Sequence, residues 1–147
     1  MSQPVRRGLD DLHPLARPVF NDFLARLIEA QLPVMLIETG RTQQRQDELW
    51  AIGRTDGQPS TAQVTWTLDS RHIMKPSQGN KSLAIDVCLY DVYTADPGGD
   101  KLKWDTNHPG WGKIGAIGQA CGLKWGVTDA KGNRKDQGHF EYIGPLT

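Results

Sequence analysis

The sequence predicts an α+β fold in which a small antiparallel sheet is flanked by helices. Apolar residues recur at steps of three and four near the N-terminus, which is typical of an amphipathic helix. Short apolar or alternating runs, which favour β-strands, are concentrated later in the chain. Helices mixed with late strands in this way indicate the α+β class.

Three helices are predicted. The first covers roughly residues 11–31, and Pro18 is expected to kink it or to delay its start. Thr42 can cap a second helix that runs to about Gly53. The third helix follows from the spacing of Ile114, Ile117 and Cys121, with Gly122 at its end.

Apolar or alternating runs predict the strands, which cover 33–38, 64–68, 83–90, a short segment from Trp125, and 139–143. The polar residues 128–138 are predicted to form a turn. Side chains alternate along a strand, so Asp86 shares a face with Ala84 and Cys88. His139 and Glu141 likewise share one face of the last strand.

Length and charge indicate a single domain over residues 1–147 that needs no disulfide bonds. The 17 Lys and Arg residues balance 17 Asp and Glu residues, which argues against charge-driven binding to nucleic acid or to an anionic membrane. No apolar run in the sequence approaches the ~18–20 residues needed to span a membrane. We therefore expect no nucleic-acid partner and no stable membrane association. We also expect a monomer.

The first residues include two arginines without an apolar stretch behind them, so we expect no signal peptide and a protein made in the cytoplasm. Thiols are usually reduced in that compartment. Cys88 and Cys121 are therefore interpreted as two buried, inert thiols, although the sequence leaves a disulfide between them open.

Two histidines and one aspartate have the residue types of a metal centre. Asp86 lies in a predicted core strand, where a carboxylate is costly unless it is paired or binds a metal. With His72 and His139 it can supply three ligands to tetrahedral Zn²⁺ and leave the fourth position to water. The ion lowers the pKa of that water toward ~7, and Asp136 is placed to act as its base. By spacing alone, each histidine would more often be an ordinary polar residue than a metal ligand.

These residues fall in motifs that resemble the zinc peptidases of bacterial cell-wall metabolism with the hedgehog/DD-peptidase fold. That family includes D-alanyl-D-alanine carboxypeptidases and dipeptidases, and the L-alanyl-D-glutamate peptidases of phage endolysins. Its pieces S-x-H, G-x-A-x-D and D-x-x-H-F-E match residues 70–72, 82–86 and 136–141, except that Ser82 stands where the family has glycine and Gly138 where it commonly has proline. Further matches lie at residues 41–55 and in G-L-K-W-G at 122–126, so the resemblance spans nearly the whole chain.

The resemblance implies a role for each matching residue. His72, Asp86 and His139 are expected to bind zinc, and Asp136 is expected to activate the attacking water and then protonate the leaving amine. Arg41 is expected to steady the substrate carbonyl oxygen as it becomes negatively charged.

Two more residues are expected to support the metal ligands. Ser70 matches the family serine and is a candidate for holding His72 in place, although it could be a plain turn serine. Glu141 is next to His139 on the predicted strand face and could orient its ring, or could act as a rival base.

The resemblance implies hydrolysis of the L-alanyl-D-glutamate bond in the peptidoglycan stem peptide, as in a phage endolysin. Small size and the G-R-T motif favour that branch over a D-Ala-D-Ala carboxypeptidase or dipeptidase. Without a signal peptide, the enzyme would stay in the cytoplasm until lysis releases it to the cell wall. The alternative to an enzyme is a binding protein, namely a non-catalytic wall-binding module with the same fold.

One departure from the family bears on the metal site. The ligand aspartate usually follows the ligand histidine by seven residues, whereas here His72 and Asp86 are fourteen apart. The extra residues around 75–82 must then loop out, which chains tolerate at little cost. An alternative register aligns Ser77–Gly79 with S-x-H and puts glycine at the ligand position, which implies a dead site.

Overall fold

The computed structural model of the protein describes residues 3–65, 67–91, 93, 99, 101–105, 107–128 and 134–147. Within these residues lie three α-helices, α1 (Arg17–Glu29), α2 (Gln43–Ala51) and α3 (Gly110–Ala120). They also contain five strands, β1 (Val34–Glu38), β2 (Ala84–Tyr90), β3 (Leu102–Lys103), β4 (Lys124–Thr128) and β5 (Arg134–Glu141). Short 3-10 turns lie at Leu9–Asp11, Ser60–Ala62 and Pro76–Gln78.

The strands form one antiparallel sheet in the order β1-β2-β5-β4. The short β3 pairs with the C-terminal end of β2, beyond the part of β2 that pairs with β5. The predicted α+β class with a small antiparallel sheet is therefore confirmed. No helix among the described residues is long and apolar enough to cross a membrane.

The helices α1 and α3 cover the face of β5 that carries Phe140. The rings of Phe140 and Phe23 of α1 lie with their centroids 4.5 Å apart, and both side chains are fully buried. Gly118 of α3 lies against the same two rings. Side chains alternate along a strand, so His139 points to the opposite face of β5, away from this core.

Several predicted boundaries differ from those observed. Pro18 delays the start of α1, which begins at Arg17 with the proline in its first turn, where no backbone N–H is required. The third helix begins at Gly110, before the predicted apolar spacing. The two-residue strand β3 was not predicted, because so short a segment has no periodicity. Of the two cysteines, Cys88 is buried as predicted, whereas Cys121 is partly exposed.

The strand predicted over residues 64–68 is wrong for the four described positions, and residue 66 lies outside the described residues. Side chains of α2 bind this segment instead of a neighbouring strand. The Gln46 amide donates to the carbonyl oxygen of Thr67 at 2.5 Å, and Gln43 donates to that of Leu68 at 3.1 Å. These contacts satisfy backbone groups that a β-ladder would otherwise satisfy.

The turn predicted over residues 128–138 is wrong at its C-terminal end. β5 already begins at Arg134 and pairs with β4, and residues 129–133 lie outside the described residues. The strand also ends at Glu141 rather than at residue 143. The start of β5 was not predicted because residues 134–138 are mostly polar and lack the apolar alternation of a strand.

Alanine substitutions at two glycines of α3 are expected to have opposite effects on stability. A Cβ at Gly118 would clash with the ring of Phe140, so Gly118→Ala should destabilise the fold by about 1–3 kcal/mol. Gly112 is exposed and has open space around it, so Gly112→Ala should stabilise the fold by about 0.5–1 kcal/mol. Urea unfolding measures both, and equal effects would contradict the packing of α3 on β5.

Candidate metal centre

Strand pairing brings the first two predicted ligands together. Asp86 of β2 and His139 of β5 lie directly opposite each other in the antiparallel register. Cross-strand partners have side chains on the same face of the sheet. The Asp86 carboxylate therefore meets the His139 imidazole, and Asp86 Oδ1 is 3.0 Å from His139 Nδ1.

His72 reaches the same point from a loop. Its backbone N–H donates to Ser70 Oγ at 3.2 Å, and its carbonyl oxygen accepts from Arg41 N at 2.8 Å. The next residue, Ile73, forms a parallel bridge with Arg41 immediately after β1. The backbone at His72 is thus held from both sides, and the side chain is 1% exposed.

The three candidate ligand atoms form a compact triangle. His72 Nε2 is 3.1 Å from Asp86 Oδ1 and 3.2 Å from His139 Nδ1, and the third edge is 3.0 Å. Tetrahedral zinc, with bonds of about 2.0–2.2 Å, holds its ligand atoms roughly 3.3–3.5 Å apart. A shift of a few tenths of an ångström would open the triangle to that size, so these residues fit a zinc ion.

The outer nitrogen of each imidazole is occupied by an acceptor. His72 Nδ1 donates to the carbonyl oxygen of Thr39 at 2.6 Å, and His139 Nε2 donates to Glu141 Oε1 at 3.0 Å. These bonds fix the ring orientations and direct the other nitrogen of each ring toward the centre, as in histidine metal sites generally.

The metal-free centre carries opposing charges. Burial alone would lower the pKa of His139, but hydrogen bonds to Asp86 and Glu141 outweigh it and raise the pKa to about 10. Burial alone would raise the pKa of Asp86, yet the charge of His72 and hydrogen bonds from both imidazoles hold that pKa well below its usual range. A metal would therefore replace a proton on His139.

Asp136 lies at the edge of this centre. Its Oδ2 is 4.0 Å from His139 Nδ1, and half of its side-chain surface is exposed. Desolvation and the charge of Asp86 raise the pKa of Asp136 above its ordinary value. The backbone has φ of 55°, a left-handed conformation that is uncommon outside glycine and that is often found at functional sites.

Arg41 lies on the other side of Asp86, and its Nη2 is 3.8 Å from Asp86 Oδ2. The guanidinium is buried and hydrogen bonds to Glu38 and Gln46. The structure thus gathers the seven residues singled out from the sequence around one point, namely Arg41, Ser70, His72, Asp86, Asp136, His139 and Glu141. Their roles stay predictions.

The long segment between His72 and Asp86 closes on itself. Leu83 N donates to the carbonyl oxygen of Arg71 at 2.9 Å, so the chain returns beside the point where it left. The buried Gln78 amide ties the loop internally through the carbonyl oxygens of Ile73 and Lys81. His72 lies beside Asp86, whereas Gly79 lies in a left-handed turn with open space around it, which disfavours the alternative register.

Three contributors were missed by the sequence analysis. Thr39 binds the His72 ring through its main-chain carbonyl oxygen, which every residue type has, so the sequence could not single it out. Gln46 is fully buried and binds Arg41, and its place in the family-like stretch was the available signal. Glu38 is a charged residue at the end of an apolar strand, which is the pattern that singled out Asp86.

The position of Gly138, just before His139, leaves no room for a side chain. A Cβ at this position would clash with the carbonyl oxygen of Val87 on β2. The glycine therefore lets β5 approach β2 closely just before His139.

Fold and site together define a small α+β protein with a candidate His–Asp–His metal centre. No family model and no curated protein sequence matches the chain. Among solved structures, the chain is similar to the L-Ala D-Glu endopeptidase ChiX of Serratia marcescens, with a TM-score of 0.54 and 23% identity over 90% of this chain and 81% of that chain. At this identity the likeness shows a shared fold.

Removing the charge of Glu141 is expected to weaken metal binding without unfolding the protein. Glu141→Gln takes a carboxylate away from His139 Nε2, and losses of such outer partners typically cost about 10–100-fold in metal affinity. Titration of the metal-free protein with Zn²⁺ against a chelating dye measures the effect. Glu29→Gln, at an exposed position on α1, is the control, and equal affinities in the two variants would contradict this role.

Proposed function

We propose that the protein is a zinc-dependent peptidase that hydrolyses the L-alanyl-D-glutamate bond of the peptidoglycan stem peptide. The observation that carries the proposal is the triangle of His72 Nε2, Asp86 Oδ1 and His139 Nδ1, with edges of 3.0–3.2 Å and both outer nitrogens occupied. The shared fold with ChiX, an L-Ala D-Glu endopeptidase, supports the choice of substrate.

In this proposal, His72, Asp86 and His139 hold the zinc ion. Zinc bound there would polarise the scissile carbonyl and lower the pKa of a water molecule toward about 7. The hydrogen bonds from His72 to Thr39 and from His139 to Glu141 keep both rings aimed at the ion, and the Ser70 hydroxyl fixes the backbone of His72.

Asp136 is the proposed acid and base. Its carboxylate faces the centre at 4.0 Å from His139 while half of the side chain is open to solvent, so it can reach both a water molecule and a substrate. It would accept a proton from the attacking water and deliver that proton to the leaving amine of the glutamyl residue. Proton transfer of this kind typically contributes about 10²–10⁴-fold to the rate.

Arg41 is the proposed group that stabilises the developing negative charge on the carbonyl oxygen. A buried, positioned cation is suited to this task because it needs no reorganisation during the reaction. We further propose that residues 1–147 form a single catalytic domain, that the protein acts as a monomer, and that it serves as a phage-type endolysin that remains in the cytoplasm until lysis gives it access to the wall.

Substitution of Asp136 should separate catalysis from metal binding. Asn tolerates the left-handed backbone and keeps the side-chain size, so Asp136→Asn should fold, bind one equivalent of zinc, and lose about 10²–10⁴-fold in kcat. Elemental analysis and hydrolysis of purified muropeptides measure the two properties.

The ligand variants His72→Ala, Asp86→Ala and His139→Ala form the matching set and are expected to lose both zinc and activity. Lysis of cell walls at the wild-type rate by any of these three, or by Asp136→Asn, would refute the assignment.

The scissile bond can be read from the products by mass spectrometry of muropeptides incubated with and without a chelator. A new amine on the glutamyl residue, abolished by the chelator, is the expected result. Released D-alanine would instead indicate a carboxypeptidase or dipeptidase. Binding to walls without any cleavage, in a protein that holds no zinc, would indicate a non-catalytic wall-binding module.

A further inference from the structure

A buried ionic network lies beside the candidate metal centre. Glu38, the last residue of β1, is 4% exposed, and Arg41 is 8% exposed. Glu38 Oε1 accepts a hydrogen bond from Arg41 Nη2 at 2.6 Å, and Glu38 Oε2 accepts one from Arg45 Nε at 2.9 Å. Burial alone would raise the pKa of Glu38, but its contacts with Arg41 and Arg45 lower it, so the carboxylate is ionised at neutral pH.

Arg41 lies between two carboxylates of neighbouring strands. Glu38 is opposite Asp86 in the β1–β2 pairing, next to a register shift in β1. Arg41 Nη2 is 2.6 Å from Glu38 Oε1 but 3.8 Å from Asp86 Oδ2. The first distance is a short hydrogen bond, and the second is too long for one. The guanidinium is thus committed to Glu38, although Asp86 is close by.

The rest of the network keeps the guanidinium in this position. Gln46 Oε1 accepts from Arg41 Nη1 at 2.7 Å, so both terminal nitrogens are held by neighbours other than Asp86. Asp86 directs its other oxygen, Oδ1, to His72 and His139 at 3.1 and 3.0 Å.

Loss of the Glu38 carboxylate would change which carboxylate Arg41 binds. A buried guanidinium without a counter-charge is strongly unfavourable, and Asp86 would then be its nearest carboxylate. Arg41 would close the remaining gap, form a charge-assisted hydrogen bond to Asp86 and compete with a metal ion for that carboxylate.

We propose that Glu38 is a positioning residue that holds Arg41 back from Asp86, so that the metal keeps its carboxylate ligand and the guanidinium keeps the place from which it would contact the substrate. The part that concerns the substrate rests on the proposed peptidase function. The part that concerns metal affinity does not, because it follows from the competition between a guanidinium and a metal ion for Asp86.

Glu38→Gln tests the proposal, since it removes the charge and keeps the size of the side chain. We expect the affinity for Zn²⁺, measured by competition with a chelating dye, to fall about tenfold. We also expect kcat for muropeptide hydrolysis to fall about 10–100-fold with KM little changed. Asp22→Asn is the control, because it breaks the exposed Asp22–Arg26 pair on α1 and should leave both values unchanged.

The double variant Glu38→Gln, Arg41→Gln distinguishes positioning from a merely structural role. Without the Arg41 guanidinium, the cation that lies 3.8 Å from Asp86 is gone, so zinc affinity should return to within about threefold of the wild type while hydrolysis stays low. If the double variant binds zinc no better than Glu38→Gln alone, Glu38 does not act through Arg41 and the proposal is overturned.

The proposal is also overturned if Glu38→Gln has the zinc affinity and the kcat of the wild type. If that variant does not fold, Glu38→Asp takes its place, because the shorter side chain keeps the charge but withdraws it from Arg41. The same losses are expected there, and wild-type values would again overturn the proposal. If the wild-type protein cleaves no stem peptide, the proposed function fails, while the zinc titrations still decide the role of Glu38.

Discussion

The pairing of β2 with β5 is the constraint on which the candidate site depends. Asp86 and His139 are opposed in that pairing and meet at 3.0 Å on one face of the sheet. The neighbouring pair, Ile85 and Phe140, points to the other face and is completely buried in the hydrophobic core. A slip of one residue would exchange the two faces, which the loss of apolar burial forbids. The core therefore sets the register that brings the polar residues together.

The end of β1 supplies the second constraint. Met74 N donates to the carbonyl oxygen of Arg41, and Arg41 N donates to that of His72, so the loop with His72 is hydrogen bonded to the chain leaving β1. A Cβ at Gly40 would clash with the side chains of Met74 and Asp11, so the glycine leaves room for both. The Thr39 carbonyl binds the His72 ring in the same region. Although His72 lies in a loop, hydrogen bonds thus hold both its backbone and its ring, as a pre-organised metal centre requires.

The sequence was sufficient to predict an element or a site residue where the local pattern and the tertiary structure agree. Asp86 stood out because a carboxylate in an apolar strand needs a partner, and the family-like motifs placed His72 and His139 beside it. The strand predicted from the alternation over residues 64–68 failed, because the side chain of Gln46, and not a neighbouring strand, binds the carbonyl oxygen of Thr67. The contribution of Glu38 depends on pairing between distant strands, which local patterns do not reveal.

The separation of fourteen positions between His72 and Asp86 shows which features of the chain the site constrains. The ligand positions are set by the bridge between Arg41 and Ile73 at one end and by the start of β2 at the other. The chain between them can lengthen at small entropic cost, provided that its ends still meet, as they do between Arg71 and Leu83. These end contacts, rather than the number of residues between the two ligands, hold His72 beside Asp86.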